Sequence, residues 1–187
     1  MTTIDEDTST KSVRSGKRGM SLFTKEDGIE LGESQAMSSP QFEEGDLDAI
    51  INEGIDLTPS AVGNRNVVLF RGEGEDGFSL VRAWFAPNYV LPRHSHSANC
   101  LYYVDRGSVV LGSRVMGEGS GFFVPGDAPY AVQAGPEGAV VLEFRDAPSF
   151  DMKINGGQMD RFRMMAEVGG ANLPEWTRLL EEEQQSF

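Results

Sequence analysis

The chain has 187 residues, of which 39% are hydrophobic and 24% charged, a composition that suits one soluble domain with a hydrophobic core. Its formal net charge of -13 disfavours nucleic-acid phosphates and anionic lipid surfaces as partners, because like charges repel. The one cysteine, Cys100, cannot form an internal disulfide, and no apolar run suits a membrane helix or a signal peptide, so we expect a cytoplasmic protein without a membrane partner.

The first part of the chain, residues 1–45, is rich in Ser, Thr, Gly and charged residues and has few apolar ones. Such a composition predicts a disordered N-terminal arm. The next residues show the i, i+3, i+4 apolar spacing of a helix, behind a capping-type Asp46 and before Gly54. This short helix is predicted to lead into a domain over residues 46–150.

Short apolar or alternating segments follow the helix, separated by turns of Gly, Pro, Asn and Asp. The predicted strands are 66–71, 78–86, 100–105, 108–112, 121–124, 130–133 and 139–145. Regularly spaced short strands are typical of an all-β sandwich or barrel.

The tail, residues 151–187, changes character again. Apolar residues within 159–166 recur at helical spacing before a Gly-Gly pair at 169–170. Asn172 can cap a further helix with Pro174 in its first turn. We therefore predict a helical C-terminal extension that packs outside the β-domain.

The two histidines of the chain, His94 and His96, stand two residues apart. Side chains alternate along an extended segment, so both imidazoles are predicted to point the same way. Two neighbouring neutral imidazoles suit a divalent transition metal such as Fe, Mn, Ni, Cu or Zn, while a pair of surface histidines is the alternative.

The residues around the histidines resemble the two motifs of the cupin superfamily. The first motif is Gly, five residues, His-x-His, three or four residues, Glu, six residues and Gly, and here it runs from Asn88 to Gly107. The second is Gly, five residues, Pro-x-Gly, two residues and His, and here it runs from Gly119 to Tyr130. The resemblance covers residues 60–147 and implies a double-stranded β-helix, a jelly-roll barrel that is often a homodimer and binds a metal inside.

The carried-over metal ligands depart from the family pattern at two places. His94 and His96 match the first two ligands, but Cys100 stands in place of the glutamate and Tyr130 in place of the last histidine. Cys100 as a thiolate would complete a set of three metal ligands, or it is a small buried apolar residue. Tyr130 would serve as a metal ligand or as a hydrogen-bond donor and general acid or base, or it packs in the core.

Three further polar residues are candidates for binding a substrate. Glu143 shares one strand face with Arg145, opposite the larger apolar set, and would look into the barrel or out to solvent. An inward Arg82 would hold a substrate carboxylate, whereas an outward one is a solvated strand residue. Tyr102 shares its face with Cys100 and is predicted to line the pocket.

These observations predict a metal-binding protein that acts on a small organic molecule inside the barrel, with a dioxygenase-type oxidoreductase as the preferred enzyme class and lyases and isomerases as others. The alternative is a non-catalytic binding or sensing module that keeps the pocket and has lost the usual metal set. Substitution at both Cys100 and Tyr130 favours that alternative.

Overall fold

A computed structural model describes residues 20–74 and 77–187. Its strands are β1 (Ile29–Glu30), β2 (Gln41–Phe42), β3 (Asn64–Arg71), β4 (Ser79–Phe85), β5 (His94–Ser95), β6 (Cys100–Leu111), β7 (Arg114–Gly117), β8 (Gly121–Val124), β9 (Gln133–Arg145) and β10 (Lys153–Ile154). The helices are α1 (Asp46–Asn52) and α2 (Met159–Ser186), with 3-10 helices at Lys25–Asp27 and Thr58–Gly63.

The described strands form a curved, two-sheet β-structure. A large antiparallel sheet has the order β1-β3-β4-β9-β6-β7, with β8 paired to the first half of β6, and a small sheet has the order β2-β10-β5. Isolated bridges join Val90 to Gln133 and His94 to Tyr130, and so link the segment around β5 to the start of β9 and the residues before it. This arrangement confirms the predicted all-β barrel.

The long strand β6 replaces two predicted strands and the turn between them. Gly107 has a φ of 70°, and the register of β6 against β9 shifts on both sides of it. A Cβ at this position would lie 2.1 Å from the carbonyl oxygen of Gly138. The local turn signal therefore marks a β-bulge, where the strand bends without leaving the sheet.

The predicted disorder of the N-terminal arm is wrong for residues 20–45, while residues 1–19 lie outside the described residues. Strand β1 pairs with β3, strand β2 pairs with β10, and Ala36 is buried. Sparse apolar residues cannot build a core of their own, but a segment of this kind can add backbone hydrogen bonds to the edges of an existing sheet.

Helix α1 forms where the apolar spacing predicts a helix, but Asp46 is not its N-cap residue. Gly45, with a φ of 85°, is the N-cap residue, and Asp46 lies in the first turn. Ile50 is buried, whereas Leu47 and Ile51 are exposed. The helix therefore contributes a single residue to the core.

The C-terminal extension is one helix, so the predicted break near residues 169–170 is wrong. The Asn172 side chain donates a hydrogen bond to the carbonyl oxygen of Val168 one turn earlier, and so it acts within the helix rather than as a cap. Pro174 lacks the N–H that would bond to the carbonyl of Gly170, but Gly170 is exposed and its carbonyl can be solvated. The helix therefore continues through the proline.

Helix α2 covers the outer side of the barrel. Phe162 and Met165 pack with Ile50 in one apolar cluster, and Trp176 is buried against Tyr89 in the main core. The backbone is close here, since a Cβ on Gly63 would lie 2.6 Å from the Trp176 ring. Among the described helices, none has the length and apolar content to cross a membrane.

Candidate functional site

The barrel encloses a cavity of about 280 Å³. Most of its wall is apolar, including Val81, Ala83, Phe122, Val141 and Phe150. The polar side chains in the wall are Asn64 and Asn66 of β3 and a cluster consisting of His94, His96, Tyr102, Tyr130 and Glu143. The volume is near the lower end of the roughly 300–1,000 Å³ that is usual for ligand pockets, so the cavity suits a small molecule.

Both histidines lie in the cavity wall, with ring centroids 5.0 Å apart. Backbone hydrogen bonds of 2.9 Å in both directions between His94 and Tyr130 fix this segment. The His94 Nδ1 donates to the carbonyl oxygen of Pro92 at 2.8 Å, and the His96 Nδ1 donates to that of Asp151. Because a carbonyl only accepts, each ring in its neutral form carries its proton on Nδ1 and a lone pair on Nε2.

Burial favours the neutral form of both rings. It lowers the pKa of His94 to about 4, with the neighbouring His96 adding to the effect. Burial also lowers the pKa of His96, against the attraction of the Glu143 carboxylate. Near neutral pH both imidazoles are therefore bases without a proton on Nε2.

A chain of polar contacts within hydrogen-bond distance runs from His96 to Glu143. The His96 Nε2 lies 3.2 Å from the Tyr130 hydroxyl, which lies 2.5 Å from the Tyr102 hydroxyl. Tyr102 donates to Glu143 Oε1 at 2.9 Å. Burial, followed by the Glu143 charge, raises the pKa of both tyrosines well above the ordinary value, so both remain phenols.

Glu143 is paired with a buried arginine that was not among the predicted site residues. The Arg145 Nε lies 3.4 Å from Glu143 Oε1, and its guanidinium carbon lies 3.9 Å from the centroid of the Phe150 ring. The Arg145 side chain has no exposed surface, and none of its three nitrogens meets the distance and angle of a hydrogen bond to another described residue. The shared face of Glu143 and Arg145 was the sequence signal that could have identified it.

Cys100 does not join the histidines in the predicted metal set. Its thiol donates to the carbonyl oxygen of Ala98 at 3.5 Å, and it is not part of the cavity wall. Burial, together with the Glu143 charge, raises the pKa of the thiol to about 11, which disfavours the thiolate that a metal needs.

The remaining donors do not fit a metal site either. Within residues 20–74 and 77–187, no three His, Cys, Asp or Glu side chains are grouped so that they could hold an ion. The Tyr130 phenol lies against His96 Nε2, the nitrogen that would bind the metal, and the buried Arg145 adds a positive charge nearby. Two imidazoles alone make an incomplete set, since stable sites use three or four protein ligands.

The prediction that Arg82 binds substrate is wrong in this structure. Arg82 contacts the Glu183 carboxylate of α2, and the centroid of the Phe187 ring lies 4.2 Å from its guanidinium carbon. Its neighbours Val81 and Ala83 line the cavity, so alternation directs Arg82 to the outer side of β4. Helix α2 covers that side, which explains how the arginine is buried without facing the cavity.

Asn88 and Asp127 stand at positions where the two motifs have glycine. Asn88 and Asp127 each have a φ of 60°, in the left-handed region that glycine usually occupies. The substitutions therefore preserve the turns on either side of the His94–Tyr130 bridge.

Comparisons with known proteins give similarity in structure only. A scan against protein-family models finds no match, and a search of curated proteins finds none. A solved RmlC-like cupin from Shewanella frigidimarina NCIMB 400 is 24% identical over 46% of this chain and 78% of its own, with a TM-score of 0.40. The polyketide cyclase RemF from Streptomyces resistomycificus is 22% identical over 54% of this chain and 76% of its own, with a TM-score of 0.44.

KdgF from Halomonas sp. is 21% identical over 45% of this chain and 79% of its own, with a TM-score of 0.38. These similarities concern a region of about half the chain. The chemistry of the cavity has to come from the side chains that line it.

Proposed function

We propose that the protein binds a small organic molecule in the barrel cavity. The observation that carries this proposal is the wall itself, which is mostly apolar and carries one connected cluster of ionisable side chains, His94, His96, Tyr102, Tyr130 and Glu143, besides Asn64 and Asn66. Cavities with an apolar wall and a few convergent polar groups are typical of small-molecule sites. The ligand would place its apolar body against the wall and a polar group against His96 and Tyr130.

Proton transfer is the chemistry that these residues favour. The His96 Nε2 lone pair and the Tyr130 hydroxyl lie 3.2 Å apart at the cavity, so a ligand group placed there meets both a base and a hydroxyl. A metal-dependent dioxygenase would need a third protein ligand beside the two histidines, and Cys100 is directed elsewhere. The proposed function therefore uses no metal.

Binding without turnover remains the alternative from the sequence, and the same pocket would serve it. The enzyme and the sensing module differ in what happens to the ligand, because an enzyme converts its ligand and a sensing module releases it unchanged. The homodimer and the cytoplasmic location stay predictions.

Calorimetric titration with 4-nitrophenol tests the proposed site, because this probe combines an apolar ring with a weakly acidic hydroxyl. We expect saturable binding to the full chain. Ala83→Leu fills part of the cavity and should weaken binding by at least about tenfold, or one unit of pKd. Val115→Leu, on the exposed strand β7, is the matched control and should bind as the original chain does. Absence of saturable binding, or equal affinity in the Ala83→Leu variant, contradicts the proposal.

Metal analysis of protein purified without a histidine tag tests the metal prediction separately. We expect no stoichiometric Fe, Mn, Ni, Cu or Zn, and no gain when these ions are added. One equivalent of metal that disappears in a His94→Ala, His96→Ala variant would restore the metal-dependent interpretation.

A further inference from the structure

We propose that His96, Tyr130, Tyr102 and Glu143 form a proton wire that lacks one proton at its cavity end and takes that proton from a weakly acidic hydroxyl group of the bound molecule. The inference rests on the proposed function, since the proton comes from the ligand in the cavity. The ligand class that it assigns is a phenol or an enol.

The wire is continuous over four side chains. Tyr102 contacts Glu143 Oε1 at 2.9 Å, the two hydroxyls are 2.5 Å apart, and Tyr130 contacts His96 Nε2 at 3.2 Å. The other nitrogen of His96 is held by the carbonyl oxygen of Asp151. Every link is thus within hydrogen-bond distance.

Counting protons shows that the network is one short. The four hydrogen bonds from Asp151 to Glu143 need one proton each. An ionised carboxylate supplies none, while each phenol and the neutral imidazole supply one each, which leaves one bond without a proton. A complete network needs one further proton, either on Glu143 or on His96.

The position of the gap follows from the directions of the bonds. Glu143 only accepts while it is ionised beside Arg145, so the Tyr102 proton points to it. The two hydroxyl oxygens are 2.5 Å apart and need a proton between them, so the Tyr130 proton points to Tyr102. The His96 proton is committed to the Asp151 carbonyl. Two lone pairs therefore face each other between His96 Nε2 and Tyr130, and this link is the longest of the three between side chains.

The proposed step transfers one proton and leaves every protein group neutral except Arg145. The ligand O–H bond breaks, its electron pair stays on the ligand oxygen, and the proton binds to His96 Nε2. The His96 Nε2 proton then moves to Tyr130, the Tyr130 proton to Tyr102, and the Tyr102 proton to Glu143. Both phenols end as phenols, the imidazole is neutral again, and Glu143 is a carboxylic acid.

This transfer gives the buried arginine a role. Before it, the Arg145 charge is balanced by Glu143; after it, the ligand anion carries the negative charge instead. The net charge of the buried site therefore does not change, which avoids the cost of placing an unbalanced charge in a low-dielectric interior.

The other ionisable groups around the wire do not supply the missing proton. The His94 ring centroid lies 4.4 Å from that of Tyr130, but its Nδ1 proton is donated to the Pro92 carbonyl. The Cys100 thiol is directed to the Ala98 carbonyl, and the Asp151 carboxylate accepts from the backbone N–H of Ser97. Burial keeps both phenols and both imidazoles neutral, as the wire requires.

Binding of 4-nitrophenol to the full chain, labelled at histidine with nitrogen-15, tests the wire. Absorbance gives the ratio of bound phenolate to phenol, and the two imidazoles of the chain give separate nitrogen signals. In the original chain we expect bound phenolate and a singly protonated His96. In Tyr102→Phe the wire is cut, so the ratio should fall by at least about tenfold, or one pKa unit, and the proton that is transferred should remain on His96. Glu143→Gln, which removes the final acceptor, should give the same result.

The matched control is Tyr103→Phe, which removes a phenol hydroxyl from the neighbouring, exposed side of the same strand and should behave as the original chain does. The wire is overturned if the probe binds but the ratio and the His96 signals are the same in the original chain and in Tyr102→Phe. Failure of the probe to bind the original chain overturns the proposed function, and the wire with it.

Discussion

Two buried arginines lie on opposite faces of the same sheet and have different surroundings. Arg82 on β4 faces α2, where it contacts the Glu183 carboxylate and the ring of Phe187. Arg145 on β9 lies on the inner side, 3.4 Å from Glu143, and none of its nitrogens makes a hydrogen bond. Their side chains are 7% and 0% exposed, so burial does not distinguish them.

The comparison distinguishes a charged pair that stabilises the packing of α2 from a charged pair that lies beside the cavity. A buried ion pair with close contacts becomes costly when one partner is removed. The inner pair has a longer contact, 3.4 Å, and its carboxylate lines the cavity. The outer pair, Arg82 and Glu183, stabilises the packing of α2 on the barrel. The inner pair, Arg145 and Glu143, belongs to a polar network that contacts the cavity.

Removing the outer arginine should have the largest effect on stability. Arg82→Ala leaves the Glu183 carboxylate buried without its closest cation, and we expect a loss of about 3–5 kcal/mol in the free energy of unfolding by urea. Arg106→Ala is the control, because Arg106 is 60% exposed and lies 3.7 Å from the same carboxylate. The Arg106→Ala variant should lose about 0–1 kcal/mol in the free energy of unfolding. Equal losses in the two variants would show that Arg82 is not the main partner of Glu183.

Lowering the pH should reduce the free energy of unfolding through His94, which lies in the cavity wall. The unfolded chain takes up a proton at His94 near pH 6.5 and the folded chain only near pH 4, so stability falls as the pH falls through this window. The loss from this group is about 3 kcal/mol, since one pKa unit corresponds to about 1.4 kcal/mol. In His94→Gln the urea unfolding free energy should fall less between pH 7 and pH 4. Identical slopes in the two proteins would contradict the burial of a neutral imidazole.

Replacing the inner pair as a unit should change stability little. The double variant Arg145→Met, Glu143→Gln removes both charges and keeps most of the volume. Because the Arg145 nitrogens make no hydrogen bonds, we expect a change within about 1 kcal/mol in either direction. Urea unfolding of the double variant checks this, and a loss as large as that of Arg82→Ala would remove the distinction between the two arginines.

A further contact of the outer arginine involves Phe187, the last residue of the chain. Phe187→Ala removes the ring whose centroid lies 4.2 Å from the Arg82 guanidinium carbon, and we expect a loss of about 0.5–2 kcal/mol. Thermal unfolding measures it. Gln185→Ala, at an exposed position of the same helix, should be within about 0.5 kcal/mol of the original chain. If the two variants unfold alike, the Phe187 ring does not stabilise Arg82.

Local pattern predicted most of the barrel strands, although it missed β7 and divided β6 in two, and it predicted several residues of the candidate site. The alternation that placed His94 and His96 on one side depends only on the geometry of an extended chain. The same rule put Tyr102 and Glu143 on the faces where the structure has them, in the cavity wall. Sequence alone left the direction of Glu143 open, because alternation identifies two faces without saying which one is inner.

The sequence by itself determined the β-architecture and the alternation of side chains along each strand, because strand periodicity acts over a few residues. Only the tertiary structure decided that Arg82 turns to α2, that Cys100 bonds to a carbonyl, and that Arg145 lies beside Glu143 without hydrogen bonds. Those outcomes depend on which distant segment covers each face, and contacts such as that between Arg82 and Glu183 join residues 101 positions apart. No local pattern contains that information.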